Sequence, residues 1–180
     1  AEVLEIGPGP GGLTRALLAA GAAQAEVKAM TPQGFEVVET ATAKASPDKV
    51  FAAIVRVQDW WNSEHTYSGS AANLSIEPKP GGCFCEKLPG GGVEHLRVAF
   101  VKPGAILRLR GALGPLQGEG VDGALTFALV PDGAGGTKLS LSYIVGGYLR
   151  KGSEAWAPIV DQVLGEQFAR LIRYSETGKP

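Results

Sequence analysis

The sequence predicts an α+β fold in which a curved antiparallel sheet of six or seven strands wraps around a long C-terminal helix. Apolar and polar residues alternate through several stretches between residues 96 and 145, and turns that contain Gly and Pro separate these stretches. Apolar residues then recur at three- and four-residue spacing between Trp156 and Ile172. The alternation predicts a sheet with one buried face, and the amphipathic helix is the natural cover for that face.

Size and charge narrow the range of partners. The chain has 180 residues, which fits one domain. Its 17 basic and 18 acidic residues give a net charge of -1, and no block of like charges occurs. We therefore expect neither nucleic acid nor an anionic membrane surface as a partner. No apolar run approaches the roughly 20 residues of a membrane-spanning helix, so we expect no membrane span. The sequence does not indicate an oligomeric state.

The predicted domain covers residues 26–178, and its first regular elements are a strand and a short helix. Residues 35–43 form an extended stretch that is rich in Val and Thr. Ser46-Pro47-Asp48 then combines an N-cap, a Pro at the first helical position and a carboxylate near the positive end of the helix dipole. The apolar stripe of this helix consists of Val50, Phe51, Ile54 and Val55.

The strands that follow are expected to direct every second residue into the core. Turn sequences at residues 80–82, 89–92, 103–104 and 131–133 separate them. The last helix is expected to begin near Ala155, because Pro158 must lie within its first turn. The residues expected to share the inward face are Leu96, Val98, Phe100, Leu107, Leu109, Leu125, Phe127, Leu129, Leu139, Leu141, Tyr143 and Val145.

The first residues contain a strand-like stretch, a glycine-rich turn at residues 7–12 and a helical stretch. This order can bring backbone amides close to a nucleotide-like cofactor. Residues 1–22 thereby resemble the first S-adenosylmethionine motif of ribosomal RNA adenine dimethyltransferases. That family needs a carboxylate at the end of the next strand, where this chain has Met30, and an Asn-Pro-Pro-Tyr-like catalytic stretch, which the sequence lacks. We therefore expect no methyltransferase activity and no cofactor.

Residues 1–25 are interpreted as a leader. The apolar run at residues 16–22 follows Arg15, and Ala23-Gln24-Ala25 matches the A-x-A pattern of a signal-peptide cleavage site. This interpretation predicts a periplasmic or secreted protein whose mature chain begins at Glu26. The alternatives are an Ala-rich helical leader or a fused segment, and in either case the protein would be cytoplasmic.

Three short motifs carry a second resemblance. They are the run from Asp59-Trp60-Trp61 to Gly69, the run from Pro80-Gly81-Gly82 to Glu86, and Val93-Glu94-His95. With the order of elements, they resemble exported bacterial members of the START-like SRPBCC superfamily, including proteins described as polyketide-cyclase-like or as similar to the activator of the Hsp90 ATPase. The resemblance implies a helix-grip fold with a cavity between the sheet and the long helix for hydrophobic small molecules.

Aromatic and polar residues near the expected cavity are the candidates for ligand contact. Ligand cavities are mostly apolar and carry a few polar groups that orient the ligand. For the aromatic residues the alternative is ordinary core packing, and for the histidines it is a surface or core-edge position. His95 and Arg97 alternate with Leu96 and Val98, so the pattern alone places both on the solvent side. The candidates are Trp60, Trp61, His65, Tyr67, His95, Arg97, Phe100, Phe127, Tyr143, Tyr148 and Trp156.

The chain has two His and two Cys, and Cys83 and Cys85 lie between His65 and His95. Two thiolates and two imidazoles could ligate zinc in a tetrahedron, but a Cys-x-Cys pair within a strand is not the spacing of the usual zinc modules. We therefore expect buried thiols or a disulfide and no metal site.

Three functions remain open from the sequence. The first is a binding or carrier domain for a small hydrophobic ligand, without catalysis. The second is an enzyme of cyclase or hydrolase type that uses His65 or His95 as an acid or base. The third is a partner-binding module similar to a cochaperone, as the resemblance implies.

Overall fold

The structure is a computed structural model that describes residues 24–180. The motif that resembles the S-adenosylmethionine motif, at residues 1–22, lies outside the described residues. So does the leader, except for Gln24 and Ala25, which belong to the first strand.

One antiparallel sheet of eight strands forms the body of the domain. Strands β3 to β8 follow one another as a meander, β2 pairs with β8, and β1 pairs with β2 at the edge. The strands are β1 (Gln24–Thr31), β2 (Gly34–Ala43), β3 (Leu74–Ile76), β4 (Cys83–Leu88), β5 (Gly91–Lys102), β6 (Ile106–Arg110), β7 (Gly120–Pro131) and β8 (Thr137–Tyr148). The helices are α1 (Pro47–Val55) and α2 (Ser153–Thr177), and short 3-10 turns lie at Val57–Asp59, Ser63–His65, Ala71–Asn73 and Gly114–Gly118.

The α+β class and the C-terminal helix are confirmed, but the expected six or seven strands are too few. The difference arises at the edges of the sheet. Strand β1 is an edge strand whose residues 26 to 31 are mostly exposed, so it carries little apolar signal. Strand β3 has only three residues, which is too short for an alternating pattern.

Helix α2 begins at Ser153, two residues earlier than expected. Gly152 precedes it with a φ of 76°, a conformation that favours glycine and ends the preceding turn. Pro158 is therefore the sixth helical residue and lies in the second turn, which corrects the expectation that it occupies the first. A proline there removes one backbone donor, whose partner would have been the carbonyl of the exposed Glu154.

The backbone of α2 comes closest to β1, β2 and α1. We had expected it to lie over the strands that carry Leu125, Phe127, Leu139 and Leu141. These four side chains are buried in the same core as Leu164, Phe168 and Leu171 of α2, while the helix backbone comes closest to β1 and β2, which lie beside β8 at one edge of the sheet. This position of the helix leaves room above the middle of the sheet. None of the described helices is both long and apolar enough to cross a membrane.

An irregularity in β5 changes which of its residues face inward. Phe84 pairs with Leu96 whereas Cys85 pairs with Glu94, so His95 is an extra residue without a partner across the strand. A bulge of this kind interrupts the alternation of side chains. As a result His95 and Leu96 are both buried, although they are neighbours in one strand.

A second bulge in β5 lies between Val98 and Phe100. It turns Phe100 to the outer face, where its side chain is 47% exposed, while Val98 stays buried. The expectation that Leu96, Val98 and Phe100 share an inward face was therefore wrong for Phe100. Strict alternation cannot hold across an inserted residue.

Candidate ligand-binding site

A cavity of about 370 Å³ lies between the sheet, the first half of α2 and the loops at one end of the domain. Most of its wall is apolar, and the polar side chains are few. Helix α2 contributes Trp156, Ile159, Val160, Val163 and Leu164 to the wall. The sheet contributes Leu74, Phe84, His95 and Tyr143, and the loops contribute Trp61, Glu64, His65, Thr66, Tyr67 and residues 113–116.

A chain of aromatic contacts forms one side of the cavity. The ring of Trp61 meets Phe84 edge-on, with centroids 5.8 Å apart and planes at 73°. Phe84 lies 5.2 Å from the ring of His95, and Tyr67 stacks on His95 at 5.9 Å with planes at 13°. Trp61, Phe84 and His95 are buried, whereas Tyr67 is 53% exposed. Tyr67 therefore lies where the cavity meets solvent.

A buried, hydrogen-bonded pair of side chains lies behind this aromatic wall. His95 Nε2 is 2.9 Å from Glu86 Oε2, and both side chains are almost completely buried. The other carboxylate oxygen of Glu86 accepts a hydrogen bond from the backbone N–H of Ser68. Burial acts to raise the pKa of Glu86, but the hydrogen bonds from Ser68 and His95 outweigh it and hold the pKa below its usual value. Glu86 is therefore an anion inside the domain.

Tyr143 fixes the loop that forms another part of the wall. Its hydroxyl donates to Gly111 O at 3.0 Å and accepts from Leu113 N at 2.9 Å. Burial raises the pKa of Tyr143 to about 12, so the hydroxyl stays protonated at neutral pH. The ring needs Gly123 beside it, because a Cβ at that position would lie 2.6 Å from Tyr143 Cε2.

The segment that carries Trp61 and Tyr67 is attached to α2 by hydrogen bonds. Asn62 N donates to Gln167 Oε1 at 2.7 Å, and Asn62 Nδ2 donates to Glu166. His65 Nε2 lies 3.0 Å from Glu166 Oε2. The hydrogen bonds from Asn62 and His65 hold the pKa of Glu166 below its usual value, so it remains an anion. The segment is thus held against the helix beside the cavity.

The predicted candidates fall into three groups in the structure. Trp60 and Phe127 are core residues outside the cavity wall, and Trp60 Nε1 donates to Ala53 O at 2.8 Å. Arg97, Phe100 and Tyr148 are at the surface, with Arg97 paired to Glu94 and Tyr148 72% exposed. Those in the cavity wall are Trp61, His65, Tyr67, His95, Tyr143 and Trp156.

The solvent-facing position that strict alternation gave to His95 was wrong. The bulge in β5 turns this residue inward, and alternation alone cannot show a bulge. For Arg97, which follows the bulge, the solvent-facing position is confirmed.

Sequence reasoning did not single out Glu86, Phe84 or the loop at residues 113–116. The sequence did contain a signal for Glu86. This residue lies two residues after the apolar Phe84 in β4, so both side chains are expected on the same face of the strand. A carboxylate on the apolar face of a strand needs a buried partner. The loop at residues 113–116 carried no such signal, since its place at the cavity depends on the bonds to Tyr143.

Cys83 and Cys85 form a disulfide, with Cα atoms 5.3 Å apart. This is one of the two states that the sequence left open. Within residues 24–180, no group of three or more His, Cys, Asp and Glu side chains is arranged to hold a metal ion.

No protein-family model matches the chain, and no curated protein matches its sequence. Solved structures do match its fold. EF2215, a conserved protein of unknown function from Enterococcus faecalis, has a TM-score of 0.59 at 14% identity, covering 94% of this chain and 86% of that one. CalU16 from Micromonospora echinospora has a TM-score of 0.55 at 18% identity, covering 88% and 86%.

DynU16, a protein of the dynemicin biosynthetic locus, has a TM-score of 0.55 at 22% identity. The match covers 81% of this chain and 48% of DynU16. These three proteins share their fold with this chain. At such identities the likeness concerns the fold alone, and activity has to be argued from the cavity.

Proposed function

We propose that the protein is a binding or carrier domain for a small hydrophobic ligand, which it holds in the cavity between the sheet and α2. The observation that carries the proposal is the cavity itself, with about 370 Å³ of space and a wall made mostly of apolar and aromatic side chains. Cavities of a few hundred Å³ with such walls are the usual sites for small molecules.

Several features support a ligand rather than a packing defect. Protein interiors are close-packed, and a domain seldom keeps a large void. Here the walls are held open by defined hydrogen bonds, from Tyr143 to the loop at residues 111–113 and from Asn62 to α2. Two of the proteins with a similar fold, CalU16 and DynU16, carry related names, and DynU16 belongs to a biosynthetic locus. A small organic molecule is a fitting ligand for such a cavity.

The test combines native mass spectrometry with displacement of a fluorescent apolar probe, N-phenyl-1-naphthylamine. We expect the purified protein to carry a co-purified apolar molecule or to bind the probe. Val163→Trp should fill the cavity and weaken probe binding at least tenfold, because Val163 is in its wall. The control is Gln162→Trp, on the exposed side of the same helix, which should leave binding unchanged. Equal binding by Val163→Trp and the unaltered protein would overturn the proposal.

An enzyme of cyclase or hydrolase type is the second candidate, and the buried pair of Glu86 and His95 favours it. A carboxylate that orients an imidazole beside a cavity is a common arrangement for a general base. The same mass spectra separate the two candidates. If the protein is a carrier, its co-purified ligand is unchanged after incubation. If it is an enzyme, the ligand is converted to a product that differs in mass or in chromatographic retention time.

We also propose that the protein works in the periplasm or outside the cell. The leader-like sequence at residues 1–25 supports this location. The disulfide between Cys83 and Cys85 supports it as well, because disulfides persist mainly in oxidising compartments.

A further inference from the structure

The buried ring of His95 has one nitrogen with a partner and one without. Nε2 faces the carboxylate of Glu86 at 2.9 Å. Nδ1 is also buried, but among the described residues it has no hydrogen-bond partner. A buried polar atom without a partner costs free energy, and most such atoms in proteins are satisfied. The unsatisfied nitrogen belongs to a residue of the cavity wall.

The partner of Nε2 determines what Nδ1 can do. Glu86 is an anion that accepts hydrogen bonds from Ser68 and from His95, so Nε2 must carry the proton. In the neutral imidazole Nδ1 is then the unprotonated nitrogen, which has a lone pair and no hydrogen. In this neutral form Nδ1 can only accept a hydrogen bond, and the partner that it lacks is a donor.

We propose that the ligand of this cavity is an aromatic or similarly apolar molecule with a hydroxyl group of phenol type, and that this hydroxyl donates a hydrogen bond to His95 Nδ1. This inference rests on the proposed function, because it requires a ligand in the cavity. It adds the chemical class of the ligand and the residue that recognises the polar group.

A second unpartnered atom in the same wall fits such a ligand. Trp156 Nε1 is buried and has no acceptor among the described residues. An indole N–H can only donate, so it needs an oxygen such as that of a carbonyl or ether. The wall thus lacks one donor and one acceptor, and an oxygenated aromatic molecule can supply both.

Nδ1 is covered in the structure, so a neighbouring side chain must move when the ligand binds. The lone pair of Nδ1 lies in the plane of the imidazole, so the hydroxyl approaches from the edge of the ring, while Tyr67 stacks over a ring face.

The test compares 2-naphthol with 2-methoxynaphthalene, which has the same ring system but no donor. Both are measured by displacement of N-phenyl-1-naphthylamine from the full chain. We expect 2-naphthol to bind about tenfold more tightly, the effect of one hydrogen bond that satisfies a buried acceptor. The preference should disappear in the double variant Glu86→Gln, His95→Phe, which retains an acceptor for Ser68 and removes the imidazole.

A spectroscopic measurement on the unaltered protein avoids any doubt about the folding of variants. The chain has two histidines, so ¹⁵N-histidine labelling gives few signals, and His65 is an internal control. We expect His95 Nδ1 to resonate as an unprotonated nitrogen in the free protein. Its resonance should shift when 2-naphthol binds and stay in place with 2-methoxynaphthalene.

The outcomes separate this inference from the proposed function. Equal affinity for the two ligands, or a proton on Nδ1 in the free protein, would overturn the hydroxyl recognition and leave the apolar cavity function intact. If neither ligand nor the probe binds, both proposals fail together.

Discussion

Glu39 carries a carboxyl group that is buried in the domain, where a negative charge is unfavourable. It lies in β2, is completely buried, and neither of its carboxylate oxygens has a hydrogen-bond partner among the described residues. Burial, together with the negative charge of Asp161, raises the pKa of Glu39 to about 8. The group is therefore mostly protonated at neutral pH, and the domain avoids an unpaired buried charge.

This state makes the stability of the protein depend on pH. The pKa of Glu39 is raised from 4.5 to about 8 on folding, so between these values the folded state binds the extra proton. The contribution of Glu39 to the stability of the protein should be highest below about pH 4.5. It should fall as the pH rises through 8, by an amount on the order of a few kcal/mol.

Glu39→Gln should remove this dependence, because an amide of the same shape does not ionise. We expect the variant to be more stable than the unaltered protein at pH 9 and about equally stable at pH 5, as measured by urea unfolding at both values. Glu36→Gln, on the opposite face of the same strand, is the control and should keep the original pH dependence. If Glu39→Gln unfolds at the same urea concentration as the unaltered protein at pH 9, the carboxyl is not protonated in the folded state.

Among the helices and strands, the sequence predicts those with a long periodic pattern but does not show where a strand contains a bulge. The apolar periodicity of α2 and the alternation in β7 and in β8 each extend over many residues, and all three elements were predicted from these patterns. The bulges in β5 depend on how its neighbours pair, which local alternation cannot show, so the inward position of His95 was missed. Two of the predicted candidates, Tyr143 on β8 and Trp156 on α2, lie in the cavity wall.

Strand β7 also gives a test of how the cavity wall is held. A methyl group at position 123 would lie 2.6 Å from Tyr143 Cε2 and 2.9 Å from Gly111 O. Gly123→Ala should therefore displace Tyr143 and loosen the loop at residues 111–113, which costs about 1–3 kcal/mol.

The measurement is urea unfolding together with probe affinity, and both should fall in Gly123→Ala. Gly120→Ala is the matched control in the same strand, since a methyl group there meets its nearest atoms at an ordinary 3.4 Å. The explanation would be wrong if the two variants lost the same stability, or if Gly123→Ala bound the probe as tightly as the unaltered protein.

For the whole molecule, the sheet order bears on the resemblance of residues 1–22 to a methyltransferase motif. In doubly wound folds the strand after the glycine-rich turn and helix lies in a parallel sheet and ends with the residue that binds the ribose. Here the strand in that place is β1, which ends at Thr31 and pairs antiparallel with β2 at the edge of the sheet. The residue at its end that corresponds to the ribose carboxylate is Met30, which cannot accept a hydrogen bond from a ribose hydroxyl as a carboxylate does.

We therefore expect the full chain to show no binding of S-adenosylmethionine in isothermal titration calorimetry, even at millimolar ligand. Met30→Asp restores the missing carboxylate, and it too should give no signal, because β1 pairs antiparallel with β2 and does not belong to the parallel sheet that this cofactor motif requires. An apolar probe titrated into the same samples serves as the control for folded protein. A micromolar dissociation constant for S-adenosylmethionine with the unaltered chain would show that residues 1–22 form a cofactor site without a parallel sheet.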